Sequence, residues 1–94
     1  MRFNRLIIGD EQITNPKKII AILEDKGFDW LIDSEFENAI IEIKKETLIW
    51  HSGDYYTGNW YYGIFKSGNF YGTFVNGIFE DGNFKGTFLS GIKV

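Results

Sequence analysis

The chain has no cysteine, one histidine and one proline in 94 residues. Without cysteine there are neither disulfides nor thiolate–metal sites, which fits a reducing compartment. With His51 as the sole imidazole, nucleophile–base pairs and zinc sets are nearly excluded. No apolar run reaches the length of a membrane span. The start, Met-Arg-Phe-Asn, leads into no apolar signal segment, so a cytoplasmic protein is expected. Acidic side chains are plentiful, but no spacing marks a general acid/base pair or a calcium loop. The expectation is a non-enzymatic protein with no metal and no cofactor.

Charge is unevenly placed. The formal net charge is −3. Residues 1–52 carry seven Lys/Arg against ten Asp/Glu, whereas residues 53–94 balance at zero. Within 24–42 there are seven acids (Glu24, Asp25, Asp29, Asp33, Glu35, Glu37, Glu42) and one base, Lys26. Such a stretch repels phosphate and steers a basic protein surface inward; it is equally what a solvated acidic face looks like. Direct nucleic-acid binding is not expected.

What the chain has in excess is glycine and aromatics, 11 Gly and 18% Phe/Trp/Tyr. From Gly53 to Ile92 a glycine is followed two residues later by an aromatic. The first such pair is Gly53/Tyr55 and the last is Gly86/Phe88. Trp50 sits one five-residue step earlier. Steps are five residues, with four-residue steps after Gly68 and Gly82. Blocks starting at Gly53, Gly68 and Gly82 align with one another, giving three blocks of about fourteen residues. A three-sided β-solenoid uses every step equally. An antiparallel meander would need alternating strands of about seven and three residues, which pair poorly.

Residues 2–8 read as a strand. Asn15 and Pro16 mark a helix start, Ile19, Ile20 and Leu23 an apolar stripe, and Gly27 the stop. Residues 28–32 read as a short strand or bend. Residues 34–46 fit either a strand or a capped helix, with strand preferred. The whole is expected to be a single α+β domain. Residues 1–33 form a strand–helix cap and 34–94 a repeat β region, clearest over 53–92.

The small–polar–large phase resembles the pentapeptide-repeat β-solenoids, with glycine in the small place and an aromatic in the large one. It is also similar to phage-encoded small proteins with Gly-x-aromatic steps. The resemblance covers 53–92 well, 34–50 weakly and 1–33 not at all. It implies rings pointing inward and, for function, a phage or mobile-element accessory protein that inhibits a host defence or nucleic-acid-handling complex. Some pentapeptide-repeat proteins mimic nucleic acid to occupy a topoisomerase, which implies a second role. That role needs acidic columns, and 53–94 is neutral. Gly58-Asn-Trp60-Tyr-Tyr62 is similar to choline- and glucan-binding wall repeats, which implies a third.

If rings point inward, their neighbours point outward. Tyr56, Tyr61, Tyr62 and Tyr71 would then supply contact area, and Asp25, Asp29, Asp33, Glu35 and Glu37 the charge that meets a basic partner. Ile64, Val75, Ile78, Leu89 and Ile92 form an apolar edge that must be covered, by the 16–26 helix or by a partner. Lys93 stands where the next aromatic should be. The uncapped C-terminal end is expected to pair with a second copy, to take a partner, or to face solvent.

Overall fold

The computed structural model describes residues 2–94. The chain opens with β1 (Phe3–Ile8) and β2 (Glu11–Ile13), then α1 (Pro16–Asp25) and a single helical turn, α2 (Asp29–Ile32). Two long strands follow, β3 (Glu35–Lys44) and β4 (Thr47–Thr57). Eight two-residue strands, β5 to β12, complete the chain from Asn59 to Lys93.

Local chemistry sets the helix. The Asn15 side chain accepts from the backbone N–H of Lys17 at 2.9 Å and of Lys18 at 3.3 Å, and Pro16 takes the first helical position. At the other end Gly27 has φ +83°, its N–H bonds the Glu24 carbonyl, and the Phe28 N–H reaches back to the Leu23 carbonyl at 2.8 Å. This double bond pattern ends a helix on a left-handed residue, which glycine adopts at least cost. It turns Phe28 into the core. Residues 29–32 are helical, not the strand or bend expected, so Trp30 projects from a helix.

β3 and β4 pair antiparallel, so the ambiguous 34–46 stretch is strand over Glu35–Lys44 and not helix; this segment is a partner of the first coil and not a coil itself. From β4 onward all pairing is parallel. Ile49, Ile64, Ile78 and Ile92 stand in register along one face; Asp54, Asn69 and Asn83 along a second; Asn59, Thr73 and Thr87 along a third. This is a β-solenoid of about three turns, and parallel pairing rules out the meander. The first coil is one residue longer, since β4 continues to Thr57 to pair with Glu35.

The rings fill the tube in three stacks. Trp50, Phe65 and Phe79 stack at 5.4 and 5.1 Å; Tyr55, Phe70 and Phe84 at 4.7 and 5.3 Å; Trp60, Phe74 and Phe88 at 6.2 and 5.4 Å. Within a stack the planes lie within 13° of parallel, while neighbouring stacks meet edge to face, as for Phe65 and Phe70 at 87°. Both geometries suit the ring quadrupole. Phe36 stacks above Tyr55 and Trp30 packs edge-on to Trp60, so the N-terminal region closes that end of the tube. The Ser34 hydroxyl meets the Tyr55 hydroxyl at 2.5 Å inside this closure. At the other end Lys93 does take the aromatic place, and its Nζ lies 4.6 Å over the Phe84 ring.

Glycines let successive coils touch. A Cβ on Gly72 would lie 2.8 Å from the Gly58 carbonyl oxygen and 2.8 Å from Tyr55 Cε1. That close approach, and not a left-handed φ, is what requires glycine there.

One expectation fails. Helix α1 buries Ile19 and Leu23 against β1 and α2, at the opposite end of the sheet path from β9 and β12. The apolar edge of Ile64, Val75, Ile78, Leu89 and Ile92 is therefore not covered by the helix; Leu89 is 63% and Ile92 59% exposed. The helix stripe had a nearer apolar surface on the strand that precedes it.

Candidate protein-binding surfaces

The outward tyrosines stand on corners of the coil whose inward rings are fixed by stacking. Tyr56, Tyr61, Tyr62 and Tyr71 are each 41–43% exposed. They divide into two groups.

The first group lies at the closed end of the tube. Tyr61 and Tyr62 follow Trp60 and pack against Trp30 at 5.9 and 5.5 Å. The Tyr62 hydroxyl donates to the Gly27 carbonyl at 3.1 Å, and its ring lies 5.6 Å from Phe28. The helix stop at Gly27 and the first coil are thus tied together by one side chain. A hollow of about 140 Å³ opens between Trp30 and Tyr61, with Asp33, Ser34, Gly58 and Asn59 completing its lining. A larger one, about 430 Å³, lies on the other side of Tyr62 and includes Asp25, Lys26 and Glu46. Asp29 opens α2 and Asp33 closes it. Asp25, Asp29, Asp33 and Glu46 are exposed and have no ion-pair partner among the described residues.

The second group lies on the second face. Tyr56 and Tyr71 stack on each other at 6.0 Å and 16°. Beside them Asp54 accepts from Asn69 Nδ2 at 2.6 Å, and Asn69 in turn accepts from Asn83 at 2.9 Å. Glu37 stands opposite Asp54 and Glu35 opposite Thr57 across the β3–β4 pair. Partial loss of hydration, then the charges of Asp54 and Glu37, hold the Tyr56 hydroxyl above the usual phenol range.

Of the acids expected to meet a partner, Asp25 shares a hollow with Tyr62, Asp33 shares one with Tyr61, and the charge of Glu37 acts on the Tyr56 hydroxyl; Asp29 sits on α2 and Glu35 on β3. Trp30 escaped the sequence reading because 28–32 passed for a short strand or bend. The signal was there: Asp29 and Asp33 are one helical turn apart and flank it. His51, the sole imidazole, is a half-buried member of β4, with Nε2 2.8 Å from Glu42 Oε1.

No group of three or more His/Cys/Asp/Glu placed to hold a metal ion occurs among the described residues, and none of their helices is long and apolar enough to cross a membrane. Comparison with known protein families, with curated proteins and with solved structures found no match to this chain.

Proposed function

We propose that this chain is a non-enzymatic protein-binding module whose partner presents a basic surface. The observation that carries the reading is the occurrence, twice over, of half-exposed tyrosines packed on another aromatic ring with carboxylates nearby, on a rigid scaffold. Tyrosine held in this way gives large contact area at little conformational cost. The carboxylates around Trp30 supply long-range attraction, and neutralising them across an interface selects lysine- and arginine-rich partners.

The resemblance to phage-encoded Gly-x-aromatic proteins supports a finer reading: a cytoplasmic accessory protein that blocks a host defence or nucleic-acid-handling complex by direct contact. Mimicry of nucleic acid is the weaker alternative. It calls for files of carboxylates along the coil, whereas the Asp54 file continues as two asparagines.

Affinity capture from a candidate host lysate, quantified by mass spectrometry, tests the proposal. Wild-type protein is compared with Tyr56→Ser/Tyr71→Ser and with Asp29→Asn/Asp33→Asn. A basic protein enriched by wild type and lost with either variant is the expected result. Identical captured sets for all three overturn the reading.

A further inference from the structure

The hollow beside Trp30 is built differently from the others on this surface. Trp30 and Tyr61 form two of its walls, with ring centroids 5.9 Å apart and planes at 79°. Asp33 stands on the rim. Gly58 and Ser34 also line it, packed so closely on each other that a Cβ at position 58 would run into Ser34. The Trp30 Nε1 is buried without a hydrogen-bond partner, so what this indole presents to the hollow is ring carbon and not a donor. Asn59 Nδ2 reaches the Tyr61 hydroxyl at 3.4 Å and biases that ring's position.

Two aromatic side chains and a carboxylate lining about 140 Å³ suit one kind of guest: a positively charged group with apolar flanks. An anion would meet the Asp33 carboxylate. A neutral apolar group would leave the carboxylate to lose hydration without compensation. The neighbouring hollow beyond Tyr62 already contains Lys26 and is not equivalent. Another hollow, between β2 and α1, offers no aromatic wall and contains Lys18.

We infer that the Trp30–Tyr61–Asp33 hollow receives a single arginine or lysine side chain of the protein partner. This rests on the protein-binding reading above and names the anchor of that interface. A protein-borne cation fits better than a small free one, because the unpaired acids extend well beyond the hollow, to Asp25, Asp29 and Glu46, and match a run of positive charge. From Tyr61 the outward file continues through Val75 to Leu89, an apolar strip on which the stem and neighbours of the anchoring residue would lie.

The test is an NMR titration of the full chain with capped Gly-Arg-Gly and Gly-Lys-Gly peptides. The neutral control is the same peptide carrying citrulline in place of arginine, and choline is the small-cation control. The cationic peptides should shift the Trp30 and Tyr61 ring signals and leave Tyr56 and Tyr71 unmoved. Tyr61→Leu, which keeps apolar volume but removes the ring, and Asp33→Asn should each weaken the effect about twofold to fivefold while the amide spectrum away from the hollow stays that of the folded chain. Equal shifts with the citrulline peptide, equal shifts at Tyr56, no shift at all, or tighter binding of choline than of either peptide would overturn the assignment. If the peptides leave the hollow unmoved while capture of a protein still depends on Tyr56 and Tyr71, only the anchor is wrong. If the peptides bind as expected but no protein is captured, the protein-binding reading is what fails.

Discussion

A ring in the middle of a stack has neighbours above, below and at two edges. Phe74 lies between Trp60 and Phe88 in its own stack and is crossed by Phe70, Phe79 and Phe84. Truncation to alanine empties a space that the flanking backbone cannot close, since the coils are already in contact. Phe74→Ala should cost about 3–5 kcal/mol in chemical denaturation. Gly72→Val should be comparably damaging because it forces coils apart, and a melting temperature close to wild type would contradict that contact. Ser34 and Tyr55 make a subtler pair. Burial, opposed in part by the Ser34 hydrogen bond, pushes the Tyr55 hydroxyl up to about 12. A phenol whose folded value lies above its unfolded one holds its proton more tightly when folded. Stability is therefore full below pH of about 10 and falls as pH rises toward about 12. Thermal melts across that window should show the loss for wild type and a shallower one for Tyr55→Phe.

At the scale of elements, what was legible in the sequence was whatever repeats. Glycine spacing, ring spacing and the two four-residue steps follow from one local requirement: each side of the coil must bury one large group and let the next coil approach. That requirement recurs at every step, so it leaves a period. The capping chemistry of Asn15, Pro16 and Gly27 was legible for the same reason, being contained within a turn. The packing of α1 was not, because an apolar stripe of Ile19 and Leu23 does not say which apolar surface it meets. Nor was α2, a single turn too short to show periodicity. With it went Trp30, the centre of the first tyrosine group, although the four residues around it were picked out by charge and exposure. The open edge has a direct check. Leu89→Lys should leave stability within about 0.5 kcal/mol of wild type, since no element covers that side chain. A larger loss would mean that something does.

Taken whole, the molecule is stabilised from one end. The tube is closed by Ser34, Phe36 and Trp30 and anchored through β4 to the antiparallel sheet. Phe65, Phe70 and Phe74 are fully buried, whereas Phe84 and Phe88 are only partly so. Each coil bonds only to its neighbours, as in other repeat architectures. Opening should therefore proceed coil by coil from the far end. Hydrogen exchange should find the amides of Lys85, Leu89 and Ile92 less protected than those of Tyr71, Val75 and Ile78, which make the equivalent bonds one coil earlier. Equal protection along the tube would indicate a single all-or-none unit.

The register has one more consequence. Gly82, Phe84, Gly86 and Phe88 repeat the backbone positions of Gly68, Phe70, Gly72 and Phe74. A duplicate of residues 68–81 spliced in after Asp81 would pair with the coils on either side through the backbone positions that join 68–81 to 82–94 now. The protein is in that sense a spool whose height can be changed by whole windings, while the acidic, ring-lined head stays untouched.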